Sequence, residues 1–176
     1  MRMALAVLLN SLLILSVPTP LLAKGKTVKV TITGADLKTP IEISDSKILT
    51  DFQVWTGPGT SSSSPGFNAN APGFIIDWSQ GAVAAISQTL RRYQVSFYTD
   101  VQPNGQPAYV VFYAFMPRTE QGYVYLPAKS DEWWTLNVGT IFRGVEGKWF
   151  HAWSAWERVA RPLIEKAELT DSVERR

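Results

Sequence analysis

The chain has 176 residues, with 17 Lys+Arg against 15 Asp+Glu, one His and no Cys, for a formal charge of +2. So nearly neutral a chain lacks the basic stripe that a nucleic-acid backbone demands, and without Cys it holds no disulfide, thiolate metal centre, iron–sulfur cluster or thiol nucleophile. A single His excludes any metal site built on two imidazoles, while 45% hydrophobic and 12% aromatic content marks a chain able to bury a core.

Met1-Arg2-Met3 carries one positive charge, and Ala4 to Val17 then runs uncharged and almost wholly apolar until Pro18 and Pro20. With the small residue Ala23 at the cleavage point, residues 1–23 have the layout of a secretory signal peptide. An uncleaved N-terminal anchor would need about 20 apolar residues and would have to absorb Asn10, Pro18 and Pro20, so it is the weaker reading. No twin-Arg pair is present in this N-terminal segment, so the expected path is the general secretory route to the periplasm or the extracellular space. Removing Arg2 with the signal lowers the formal charge from +2 to +1. Residues 24–169 are long enough to bury a single core without staples, so the lack of Cys suits a bacterial envelope protein. No Asn-x-Ser/Thr sequon lies in this part.

Thr27 to Thr33 alternates strictly, with Val28, Val30 and Ile32 on one side, which predicts a half-buried strand, and Ile41-Glu42-Ile43 completes a hairpin. Ser44-Asp45-Ser46 offers capping oxygens ahead of Ile48, Leu49 and Phe52, so 46–52 reads as helical. The Gly, Pro, Ser, Asn and Ala stretch at about 57–73 reads as a mobile surface loop. Strands are then expected at Phe74 to Trp78, Arg91 to Thr99, Ala108 to Met116 and Tyr123 to Leu126, the middle pair joined through Pro103-Asn104-Gly105. In Tyr109 to Phe115 both alternating faces are apolar, which predicts a central strand covered on both sides. A further pair is expected at Leu136 to Phe142 and Lys148 to His151.

The period changes at the end, where Trp153, Trp156, Val159, Ala160, Leu163, Ile164 and Ala167 recur at helical spacing. Ser154-Ala155-Trp156-Glu157 matches a capping box, so a helix over about 155–168 is expected, disturbed near Pro162, with 170–176 as a charged, frayed tail. The expected fold is therefore a β-dominated α+β domain: an antiparallel sheet of six to eight strands, made of hairpins and a meander, packed by one C-terminal amphipathic helix.

Sites for chemistry are sparse. There is no Gly-x-Ser-x-Gly elbow, and Ser61 to Ser64 lie in the loop, so any Ser-His-acid triad must use His151. The more economical reading of His151 is a residue that ends a strand with its ring satisfied by a backbone group. Gly57-Pro58-Gly59 has Ser62 where a dinucleotide fingerprint needs its third Gly, and Gly139 to Gly144 is followed by Val145-Glu146 where a phosphate loop needs Lys and Ser/Thr. No Asp-x-Asp-x-Asp-Gly loop is present, and the adjacent Asp131 and Glu132 do not form a chelating pair, so neither a metal nor a cofactor is expected. Two acids from Asp77, Asp100, Asp131, Glu132 and Glu146 could serve a glycosidase only if the fold brought them together.

Seven tryptophans are the most unusual feature, five of them between positions 133 and 156. Trp149, Trp153 and Trp156 read as packing the last helix onto the sheet. Trp133 and Trp134 cannot both face one core from a strand, so one of them should lie exposed or at a rim, near Asp131, Glu132 and His151. These residues point to a non-enzymatic exported module that binds a ligand or partner, such as a glycan or envelope component, through an aromatic-rich surface at Trp133 and Trp134. The alternatives are a small secreted hydrolase using carboxylates or His151, with Asp131 and Glu132 as candidate acids, and a purely structural envelope protein. Nucleic acid is not an expected partner, and the membrane is expected only through the signal or anchor.

Overall fold

The computed structural model describes residues 25–60 and 74–173, apart from 85, 88, 103, 104, 118 and 120. The expected signal peptide, most of the expected mobile loop and the end of the expected tail lie outside the described residues.

Seven strands form one antiparallel sheet: β1 (Thr27–Gly34), β2 (Ile41–Ile43), β3 (Ala82–Val83), β4 (Arg92–Thr99), β5 (Tyr109–Phe115), β6 (Gly122–Tyr125) and β7 (Trp149–His151). Their spatial order is β2-β1-β4-β5-β6-β7-β3, which puts β5 at the centre, as its doubly apolar pattern requires. The helices are α1 (Ser46–Leu49), α2 (Trp134–Thr140) and α3 (Ser154–Val173). The fold is β-dominated α+β, with α3 packed on the sheet.

Strand alternation assigns each side chain to one of two faces. On the closed face Val30, Ile32, Tyr93, Val95, Phe97, Tyr109, Val111, Tyr113, Val124 and Phe150 are buried together with Leu49, Phe52, Phe74, Ile75 and Ile76. Trp156 of α3 is 0% exposed there, its ring centroid 5.3 Å from Phe52 and 6.0 Å from Tyr113. Val28 departs from its expected place on this face. The register shifts between Thr27 and Lys29, and this bulge buries Thr27 while leaving Val28 exposed.

Four local expectations change. Residues 46–52 make only a single helical turn, capped by Asp45, after which Phe52 turns into the core. Phe74 to Trp78 is not a strand: Ile76 forms an isolated bridge to Ala152, and Asp77 caps a 3₁₀ turn at Trp78–Gln80. Leu136 to Phe142 is not a strand either, because β6 takes β7 as its partner and 134–140 folds into α2. Helix α3 runs through Pro162 to Val173, into the stretch expected to fray, and Asp171 Oδ2 accepts the Lys38 backbone N–H at 3.0 Å.

The short α2 is docked by one side chain. Asn137, 1% exposed, accepts the Val110 N–H at 2.8 Å and donates to the Val110 carbonyl at 2.6 Å. Strand β6 pairs with β5 only from Phe112 to Phe115, so the Asn137 amide stands in for a strand that has already left the sheet.

Candidate functional site

The residues that alternate with the closed face define an open one. Across the sheet, Gln94 aligns with Phe112, Phe112 with Tyr125, Tyr125 with Trp149 and Trp149 with Val83. One step along, Arg92 aligns with Ala114, Ala114 with Tyr123 and Tyr123 with His151. Phe112, Tyr123, Tyr125, Trp149 and His151 are all half-buried.

Their rings touch in two groups. Centroids lie 6.4 Å apart for Phe112 and Tyr125, 5.0 Å for Tyr125 and Trp149, and 5.4 Å for Tyr123 and His151. Trp133, just before α2, continues the row at the Gln94 end by donating its indole N–H to Gln94 Oε1 at 3.0 Å. The Arg92 guanidinium lies over the Trp149 ring, 5.4 Å from its centroid, a cation–π contact. Asp131 Oδ2 accepts from the Tyr125 hydroxyl at 2.9 Å and from the Ala128 N–H at 2.7 Å, which fixes the turn leading to Trp133. Burial, with the bond to Asp131 adding to it, raises the Tyr125 hydroxyl above its ordinary pKa.

Several polar groups on this face lack a protein hydrogen-bond partner among the described residues: the Arg92 guanidinium, the Trp149 indole N–H, the Tyr123 hydroxyl and His151 Nδ1, the last of these buried. The site residues expected from sequence are only partly brought together. Trp133 and Asp131 border the aromatic row, Trp134 is half-buried at the start of α2, and Glu132 is exposed. His151 does end a strand, but no backbone group meets Nδ1. No hydrogen bond joins His151 to Asp131 or Glu132 among the described residues. The acid that His151 influences is Asp77, where burial opposes ionisation but hydrogen bonds from Ser79 and Gln80 outweigh it, His151 adds attraction, and the pKa falls below its ordinary value.

Trp149 corrects the expected grouping of the tryptophans. Trp153 and Trp156 do pack beside Phe52, but Trp149 points to the opposite face of the sheet. A signal for this was present in the alternation: Tyr123 and Tyr125 flank the buried Val124, and Trp149 and His151 flank the buried Phe150.

The most perturbed ionisable groups lie on the closed side and hold the fold. Arg143, 4% exposed, donates to the carbonyls of Val54 at 2.7 Å, Thr56 at 2.8 Å and Pro58 at 3.1 Å, and to the Tyr109 hydroxyl at 3.1 Å. It also lies over Phe74 at 4.6 Å, and burial pushes its pKa below the ordinary value. Residues 56–58, at the start of the expected loop, are tied down by this side chain. Glu157, read as half of a capping box, instead accepts from the Tyr113 hydroxyl at 2.8 Å and from Arg161 Nε at 3.0 Å. Gly122 makes the space for it, because a Cβ there would overlap Glu157 Oε1. Burial raises the Glu157 pKa against the opposing pull of Arg161 and Tyr113. A hollow of about 300 Å³ borders Ser154, Glu157, Arg158, Arg161 and Pro162, but Glu157 and Arg161 in its wall satisfy each other.

Among the described residues no helix is long and apolar enough to cross a membrane, and no three His, Cys, Asp or Glu side chains gather where they could hold a metal ion. Comparison of the chain with known protein families, curated proteins and solved structures finds no match.

Proposed function

We propose that the domain is a non-enzymatic binding module, exported to the periplasm or beyond the cell, that holds a glycan or similar ring-bearing envelope component against the open face of the sheet. The observation that carries this reading is the row Trp133, Phe112, Tyr125 and Trp149, half-buried and flanked by polar groups without protein partners. Flat aromatic faces stack on the apolar faces of sugar rings, and unpartnered N–H and O–H groups at their edges supply hydrogen bonds to hydroxyls. The uncharged run from Ala4 to Val17 supports export.

The hydrolase alternative has less behind it. A general base needs its substrate proton within hydrogen-bond reach and a partner that orients it. His151 has Tyr123 as its ring neighbour, while Asp131 and Asp77 are engaged by their own loops.

A ligand that binds only the folded protein raises its melting temperature. Envelope-derived oligosaccharides are expected to raise the Tm of the purified protein, and Trp149→Ala is expected to abolish that rise while the variant still melts cooperatively. A Tm unmoved by every oligosaccharide, or a rise undiminished in Trp149→Ala, would overturn the reading.

A further inference from the structure

We infer that the open face selects an acidic glycan, one whose sugar rings carry carboxylates, and that Arg92 reads the charge; this inference rests on the glycan-binding reading above.

Arg92 starts on β4, yet its guanidinium reaches Trp149 on β7, on the far side of β5 and β6. Ala114, the neighbour that Arg92 meets on β5, is small and fully buried, so nothing bulky stands at that position. The charge therefore lies over the Trp149 end of the aromatic row, close enough to act on the Tyr125 hydroxyl. Stacking on Trp149 holds the guanidinium in place before any ligand arrives, which reduces the ordering cost of binding.

Three of the other arginines are already engaged. Arg91 pairs with Glu168 at 2.8 Å and Arg161 with Glu157, while Arg143 is consumed by carbonyls and Tyr109. Lys29, at the β1 side of the same face, lies 3.9 Å from Glu42. Arg92 is exposed, and its side chain has neither an ion pair nor a hydrogen bond among the described residues. The acids beside the row do not compensate it: Asp131 is taken by Tyr125 and Ala128, and Asp77 by Ser79 and Gln80.

A planar guanidinium fork matches a carboxylate in two parallel hydrogen bonds, and a sugar ring laid on Tyr125, beside Trp149, would bring a ring-borne carboxylate alongside it. A polyphosphate chain fits less well, because it calls for several cations in a line, and the chain as a whole carries only +2.

The test compares oligogalacturonate with its methyl ester, which keeps the rings and removes the charge, by calorimetric titration of the wild type, Arg92→Gln and Trp149→Ala. The wild type is expected to bind the acid about tenfold or more tighter than the ester, the scale of a charged hydrogen bond. Arg92→Gln is expected to bind both with the affinity the wild type has for the ester, and Trp149→Ala to lose both. Equal binding of acid and ester by the wild type would overturn the role of Arg92 while leaving glycan binding intact. A preference for acid that persists in Arg92→Gln would assign the charge reading to another residue and also overturn it. Binding of neither sugar would remove the underlying reading together with the inference, as would tighter binding of a single-stranded oligonucleotide included as a control.

Discussion

The two faces of the sheet use aromatic and charged residues in opposite ways. On the closed face, Tyr93, Tyr109, Tyr113 and Trp156 are buried among aliphatic side chains, and the charges that reach them, Glu168, Arg143 and Glu157, end in hydrogen bonds to the protein. On the open face, Phe112, Tyr123, Tyr125 and Trp149 are half-exposed, and Arg92 rests on a ring with its donors uncommitted. Desolvation explains the contrast. A buried polar group without a partner costs about 1–3 kcal/mol, so the tyrosine hydroxyls and the charges of the closed face have protein partners, with Trp156 Nε1 and Thr99 Oγ1 as buried exceptions, whereas the exposed Arg92 of the open face can leave its donors to water or to a ligand.

The comparison can be broken most forcefully at Arg143. Arg143→Ala leaves the acceptors on Val54, Thr56, Pro58 and Tyr109 without their donor and a void under Phe74, so a loss of about 4 kcal/mol or more is expected in urea unfolding. Next comes the contrast between two tryptophans. Trp156→Ala should cost about 3–5 kcal/mol, and Trp149→Ala about 1 kcal/mol, because only the first removes a fully buried ring. Equal losses would mean that the open face is core after all. Asn137→Ala leaves the N–H and carbonyl of Val110 without the amide that pairs them, and about 2–3 kcal/mol is expected, with loss of the far-UV helical signal of α2.

Alkaline titration reads chiefly the closed face, which holds three of the four tyrosines with a raised pKa, Tyr125 of the open face being the fourth. Burial raises the pKa values of Tyr93, Tyr109 and Tyr113 above the ordinary 10.0, with Glu168 adding to the effect at Tyr93 and Glu157 at Tyr113. Above pH 10 the unfolded chain therefore loses these protons first, the native state binds more protons than the unfolded one, and stability falls as pH rises. Each tyrosine held neutral contributes a slope of up to about 1.4 kcal/mol per pH unit, and Tyr113→Phe should flatten the fall measured by urea unfolding between pH 9 and 12. The smallest effect is expected at Arg92→Gln, which should change stability by less than about 0.5 kcal/mol in the same assay. A larger loss would show that Arg92 props the sheet.

Much of the fold was legible because strand alternation and helical period are local properties. Val30 with Ile32, the run Tyr109 to Phe115 and the stripe from Trp153 to Ile164 each state their burial in the residues themselves. Leu136 to Phe142 was misread because its apolar residues suit either period, and what decides for a helix is the bare edge of β5 that Asn137 fills. Of the candidate site, Trp133 and Asp131 were legible, whereas Phe112 and Arg92 were not, since nothing in a local pattern reports what lies opposite on the next strand.

The amino-acid sequence by itself determined that this is a nearly neutral, cysteine-free, aromatic-rich chain whose strands and final helix bury one core. The tertiary structure decided which of the two alternating faces became core and which stayed open. That choice depends on strand order and register, where a one-residue shift exchanges the two faces, and on a single long side chain, Arg92, that spans neighbouring strands to meet Trp149.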